Sequence, residues 1–462
     1  MDLTQAILHT DSTLLKQILQ ITPNINYLDE YGYTPLIQAV IMNHFENTKL
    51  LLEHGADPNQ KDLTGRTALH WAVSNDHFEL SKLLLHYQSD PNSYNIASEP
   101  ILAKAMMRGN IALKNILVEH GGSTTFANDY IKVKLLGHRY ELIGSVDIVD
   151  PKGIFTEVDY EGFYLESSID LIRYSLNEFR DNFASRAIYN WFDTINTIYD
   201  ALTQAQQLLK QDHYLATQQD QLQAIHRFLM QNTFILPINQ QGHAFSVVKS
   251  GNLLAIIDRA KDSLPNDRIP IYYINRKAQL TAQLIYPIAF ERQDIQMIHQ
   301  TLKQTLALQE IESLPIPDQR IGNCSWANIE ATIPTLKLMM NFHGSGTAAH
   351  KNELIADSLE LFHRWRHWDR ERALNFVIDD FKLASNARKA CIAALLAAIL
   401  FQHCSATNDE HFILAERIIP IVTSRDYEYL INSYKKFYLN DKPTKAGANL
   451  LALLERYKRE SV

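Results

Sequence analysis

The sequence predicts a multidomain fold: an all-α repeat array, then an α+β domain, then an all-helical C-terminal segment. Three observations lead there. A 33-residue periodicity fills the first quarter of the chain. Short β-prone runs alternate with helical ones in the middle, with mostly antiparallel strands expected. Helical patterns then continue almost unbroken to the end. At 462 residues the chain is too long for one core. The boundaries fall at residues 1–125, 126–340 and 341–462.

In the first segment Thr34-Pro35-Leu36-Ile37-Gln38-Ala39 aligns with Thr67-Ala68-Leu69-His70-Trp71-Ala72. Leu102 and Ala105 continue the register, and Leu3 and Ala6 precede it. Asp57-Pro58-Asn59 matches Asp90-Pro91-Asn92, and His54-Gly55 recurs as His120-Gly121. One unit cannot bury its own apolar face, so the units must stack. The pattern resembles the ankyrin repeat over residues 1–122, with four units of which the first and last are degenerate. Pro100 stands in place of the Thr, Gln88 in place of the Gly, and the Tyr94–Glu99 hairpin lacks its usual Gly. The resemblance implies an ankyrin-repeat array that binds a host protein near Tyr31, Tyr33, Arg66, Trp71 and Tyr94. Those aromatics could equally pack between repeats. Asn59 and Asn92 sit where ankyrin asparagines resemble substrates of an asparaginyl hydroxylase, although they also recur for structural reasons.

In the middle segment Ile131–Leu136, Tyr140–Val149 and Ile154–Asp159 read as strands, and Ser167–Phe183, Trp191–Leu209 and Asp220–Gln231 as helices. Three further strands follow at Thr233–Asn239, Ala244–Val248 and Leu253–Ile257, the last two joined through a turn at Gly251-Asn252. His243 follows Gly242 and has the ordinary pKa range of a general base. Asp258 ends the next-but-one strand, where a hairpin brings it beside His243 to fix the imidazole tautomer. Cys324 stands before a helix expected over Ser325–Met340, whose free N–H groups favour a thiolate. Gln319, five residues earlier, can donate to an oxyanion.

The segments FILPINQQGHAFSVV, LLAIID and DQRIGNCSW resemble the ubiquitin-like-protease and YopJ type of cysteine peptidase (clan CE), over about residues 230–345. That resemblance implies a cysteine-protease-like α+β domain: His243 as base, Asp258 as its partner, Gln319 as oxyanion donor and Cys324 as nucleophile. Many ubiquitin-like proteases have Trp after the His, where this chain has Ala244. Ubiquitin or a ubiquitin-like protein is the implied substrate; acetyl transfer is the variant that YopJ relatives perform, and no acetyl-CoA motif is visible. A non-catalytic adaptor is the reading from another class. Repeats joined to such a module resemble the ankyrin-repeat effectors that Legionella delivers through its type IV (Dot/Icm) system, which implies action in the host cytosol or nucleus.

The C-terminal segment reads as an all-helical C-terminal cap or second docking surface. Its helices are expected at Glu353–Asp369, Arg370–Leu383, Asn386–Cys404, Asp409–Val422, Tyr427–Tyr438 and Gly447–Arg459. Asn341–Thr347 lacks the GK[ST] ending of a phosphate loop and reads as a hinge. His363–Arg370 interleaves bases and aromatics, as single-stranded nucleic-acid binders do. Helical spacing favours instead a core face of Phe362, Trp365, Trp368 and Leu374 with the arginines in water. A net charge of −8 argues against nucleic acid as the main ligand. Three cysteines in so long a chain point to a reducing compartment. The opening MDLTQAILHTDS has no Sec-type leader, and the longest apolar run, Ala390–Phe401, is too short to span a membrane. Without CxxC or HExxH spacing, and with His138, Cys391 and His403-Cys404 in no ligand pattern, neither metal nor cofactor is expected.

Overall fold

A computed structural model of the chain describes residues 3–8, 12–22, 24–182, 189–211, 217–240, 242–260, 268–319, 322–342, 347–439 and 444–460. Residues 343–346 of the predicted hinge lie outside them, as do Gln241, Arg320 and Ile321. The first eight helices form pairs: α1 (Leu3–Leu8) with α2 (Ser12–Leu19), α3 (Pro35–Ile41) with α4 (Phe45–Glu53), α5 (Ala68–Ser74) with α6 (Phe78–His86), and α7 (Ile101–Met107) with α8 (Ile111–Glu119). The Thr34 hydroxyl accepts from Ile37 N–H at 3.1 Å and caps α3, with Pro35 at its first position. Ala39 and Ala72 are fully buried, as their small size at the helix contact requires. Asparagines bracket successive units. Asn59 Nδ2 donates to Gln88 O at 3.1 Å while its Oδ1 accepts from Asp90 N–H at 2.7 Å. Asn92 spans the next pair in the same way, to Gly121 O and from Ser123 N–H.

After the repeats comes α9 (Thr124–Arg139), which corrects the strand expected at Ile131–Leu136. Ser123 caps this helix, and Phe126, Tyr130 and Val133 fall at helical spacing on its buried side, so packing overrides the β-branched residues. Strands β1 (Ser145–Val149) and β2 (Phe155–Asp159) form an antiparallel pair. Only the second half of the Tyr140–Val149 run is therefore extended.

Helices α10 (Leu165–Asp181), α11 (Phe192–Leu209) and α12 (Gln218–Leu229) lead into a five-stranded antiparallel sheet. Its strands β3 (Thr233–Gln240), β4 (His243–Ser250), β5 (Leu253–Ile257), β6 (Ile269–Tyr273) and β7 (Gln309–Leu314) lie in sequence order. Between the last two run α13 (Ala282–Phe290) and α14 (Ile295–Thr305), and after them α15 (Cys324–Glu330) and α16 (Thr332–Asn341). The expected Ser325–Met340 helix is thus two, meeting at Ala331. Both faces of the sheet are buried. Ile235, Val248, Ala255 and Ile257 pack toward α10, α11, α15 and α16. Phe234, Leu236, Phe245, Val247 and Ile256 face the other way and share a core with residues of α12, α13 and α14. The period of two in these strands produces the split.

The two helices expected between Glu353 and Leu383 are one, α17 (Ala348–Leu383), because no breaker separates Asp369 from Arg370. Leu361, Phe362 and Trp365 join the sheet's core, whereas Leu374 and Val377 join the core of the repeats, so this helix spans both. The remaining helices α18 (Asn386–Gln402), α19 (Asp409–Val422), α20 (Glu428–Tyr438) and α21 (Lys445–Glu460) belong to the repeats' core. Arg366 and Arg370 do not lie in water as expected. Arg366 pairs with Glu141 at 2.9 Å, and Arg370 Nε donates to Arg139 O at 2.6 Å. Among the described residues no helix is long and apolar enough to cross a membrane.

Candidate active site

His243 opens β4 and Asp258 follows β5, and the register of the hairpin sets Ser246 against Ile257. That pairing brings the two side chains together: His243 Nε2 donates to Asp258 Oδ1 at 2.8 Å. Asp258 is almost fully buried, and Ala260 N–H also donates to its Oδ1 at 3.2 Å. Cys324 is the first residue of α15, presented by a turn in which Gly322 has φ +82°. A side chain at Gly322 would run into Glu161. Ala244 N–H donates to Cys324 Sγ at 3.4 Å.

The electrostatics of the three groups agree with this geometry. Hydrogen bonds to Asp258 and then to Cys324 raise His243 to about 9. With Nε2 committed to Asp258, Nδ1 is the ring nitrogen left for the hydrogen bond to the sulfur. Burial pushes Cys324 up, but the His243 hydrogen bond, Ala244 N–H and Ser325 N–H outweigh it and hold the thiol below its ordinary value. Burial likewise opposes ionisation of Asp258, and His243 and Ala260 N–H reverse the balance. Cys391 and Cys404 behave otherwise, both pushed up to about 12 by burial. Of the three cysteines, only Cys324 has its thiol held below the ordinary value.

Residues 3–95 match the family model described as ankyrin repeats (3 copies). No curated protein matches the chain. Among solved structures the chain is similar to one described as "Structure of Legionella Effector AnkH", at 36% identity and a TM-score of 0.85. The match covers 98% of this chain and 97% of that one. This chain belongs to the AnkH family.

Within this AnkH-family fold, the structure also places residues that the sequence did not single out. Asn328, one turn after Cys324 and fully buried, donates to Ala244 O at 2.6 Å and accepts from Arg259 N–H at 2.8 Å. It thereby ties the residue after His243 to the residue after Asp258. His299 on α14 lies behind Asp258, with Nε2 3.7 Å from Oδ2, and packs edge-on to Phe245 at 5.3 Å. Burial lowers its pKa, which favours the neutral ring beside the carboxylate. Gln319 N–H donates to Arg259 O at 2.8 Å, and its buried Oε1 makes no hydrogen bond. His138 is buried against Trp326, their rings stacked at 6.1 Å, and burial drives its pKa down to about 3.

The candidate partner-binding residues fall into two groups. Tyr31 is 73% exposed at a repeat tip. The others engage the fold itself. Trp71 Nε1 donates to Asp62 Oδ2 at 2.9 Å and its ring meets Tyr33 at 5.7 Å. Tyr94 packs edge-on to Phe126, and Arg66 Nη2 donates to Tyr164 OH at 2.9 Å. That last bond joins the repeats to the start of α10, beside a cleft of about 580 Å³ that opens over Cys324. One wall of the cleft is the last repeat hairpin, through Ala97 and Glu99.

Proposed function

We propose that the chain is a translocated effector that engages a host protein through its ankyrin repeats and carries a working Cys-His-Asp thiol hydrolase. The reaction is hydrolysis of a peptide or isopeptide bond, with ubiquitin or a ubiquitin-like protein as the substrate class. The observation that carries this reading is His243, held by Asp258 on one nitrogen and bonded to Cys324, with the thiol lowered and the imidazole raised. Such an arrangement favours the thiolate–imidazolium form of the pair.

Cys324 Sγ attacks the carbonyl carbon, and the C=O electron pair moves to oxygen. Backbone N–H groups beside Cys324, with Gln319, stabilise that oxyanion. His243 gives its proton to the leaving amine as the C–N bond breaks. Water, deprotonated by His243, then releases the acyl group from sulfur. The 36%-identical effector of Legionella supports delivery into a host cell. A type IV route and a cytosolic or nuclear site of action complete the proposal.

The test is labelling by ubiquitin or a ubiquitin-like protein bearing a C-terminal electrophile, with Cys324→Ala as control. A Cys324-dependent adduct is the expected result, and none with any such probe removes the isopeptidase reading. One observation favours a non-catalytic adaptor, the exposed Tyr31 at a repeat tip. In that case Tyr31→Ala abolishes partner capture while Cys324→Ala changes nothing in cells.

A further inference from the structure

The walls of the cleft over Cys324 carry three carboxylates, on Glu99, Asp159 and Glu161, and no lysine or arginine among the described residues. They come from two parts of the fold, Glu99 from the last repeat hairpin, Asp159 from the end of β2 and Glu161 from the connection that follows it. Glu99 is only 5% exposed. Its Oε2 accepts from Tyr164 OH at 2.9 Å and from Asn95 Nδ2 at 3.1 Å. Its Oε1 is buried and has no partner. A buried carboxylate oxygen with nothing bonded to it is costly, and a ligand donor would relieve that cost.

The cations nearby are committed elsewhere. Arg66 is spent on Tyr164 OH, and Lys104 Nζ sits 3.7 Å from the centre of the Tyr164 ring. Lys134 Nζ donates to the backbone oxygens of Asp159 and Glu161 at 2.7 and 2.6 Å. Burial holds both lysines down to about 8, which is still above neutral pH, so both keep most of their charge. None of the three lines the cleft.

We infer that this end of the cleft is a specificity subsite for a basic side chain, lysine or arginine, lying near the scissile carbonyl, with Glu99 of the repeat array as its floor. The inference rests on the hydrolase reading and adds the substrate's charge to it. It also gives the array a second task, since the hairpin of its last unit then selects the segment that reaches the thiolate. A cleft lined by one sign of charge raises the local concentration of the opposite sign.

The test uses the full chain and three peptidyl acyloxymethyl ketones that differ in one side chain, lysine, norleucine or glutamate, second or third from the electrophile. Cys324 Sγ displaces the carboxylate leaving group and forms a thioether, which intact mass counts, with Cys324→Ala as the blank. The lysine probe is expected to label about tenfold or more faster than the glutamate probe. Glu99→Gln, which keeps the acceptor for Tyr164, is expected to shrink that ratio, and so is Asp159→Asn at an exposed position; a melting curve checks that each variant folds. Labelling without regard to charge, or a ratio unchanged in both variants, overturns the subsite and leaves the hydrolase reading standing. No labelling by any probe, the neutral one included, overturns both.

Discussion

Asn328 lies one helical turn after Cys324 and closes the site from behind, its amide spanning Ala244 O at 2.6 Å and Arg259 N–H at 2.8 Å. The helix that Cys324 opens thereby sets the spacing of the strands that carry His243 and Asp258. Asn328→Ala leaves a buried carbonyl and a buried N–H unpaired, each costing about 1–3 kcal/mol. The expected outcome is a clear drop in unfolding free energy by denaturant titration, together with slower alkylation of Cys324. Asn328→Asp keeps the acceptor for Arg259 but sets a carboxylate against Ala244 O, so it is expected to lose reactivity as well.

In the proposed reaction Asp258 acts through His243. Asp258→Asn keeps the shape but removes the charge that favours the imidazolium, and turnover is expected to fall about 10²–10⁴-fold. His299 touches only the far oxygen, at 3.7 Å. His299→Leu is expected to shift the pH profile while leaving most of the rate. Steady-state assays of both variants on one substrate check the order, and a His299 effect as large as that of Asp258 would place His299 in the reaction itself.

The repeats carry a local strain that a single substitution relieves. Gln88 has φ +63° at the position where Gly55 and Gly121 have φ +90° and +92°. A non-glycine residue in that region costs roughly 1–2 kcal/mol, part of which glycine gives back in chain entropy. Gln88→Gly is expected to stabilise by about 0.5–1 kcal/mol in chemical denaturation. The backbone oxygen of Gln88 that Asn59 grips is unaffected by the change.

The raised pKa of His243 makes stability depend on pH. In a Cys324→Ala background the thiol leaves the balance and Asp258, the larger cause of the shift, remains. The folded value lies above the unfolded one of about 6.5, so the His243 increment is fully present below about pH 6.5. It is lost as pH rises toward 9. Asp258, held down in the fold, runs oppositely and loses its contribution only as pH falls through its folded value. Melting temperatures of Cys324→Ala with and without His243→Gln should therefore differ most near pH 5–6 and converge above pH 9.

Local signals made much of this molecule legible, and long-range ones did not. The repeats declare themselves through Thr34, Ala39 and their copies, because each unit repeats the same burial problem. Strands β3 to β5 were readable from alternation and a glycine turn. Strands β6 and β7 and helices α13 and α14 went unread: Pro270 interrupts one strand, Pro287 sits inside one helix, and the alternation in Gln309–Leu314 is weak. His299 carried a signal that could have been used, since it shares the face of α14 with Ile295 and Leu302. Glu99 and Asn328 carried none. Their roles arise only when segments far apart in sequence meet, as when Arg139 at the end of α9 pairs with the buried Asp369 of α17.

The most direct test of the thiolate–imidazolium pair is the pH dependence of Cys324 alkylation by iodoacetamide, compared between the native chain and His243→Ala. The native thiol is expected to react below the ordinary thiol range and to change in reactivity again as His243 titrates near 9. In His243→Ala the low-pH reactivity should vanish. A native profile with a single rise at an ordinary thiol pKa of about 8.5, unchanged by removing the imidazole, would contradict the account.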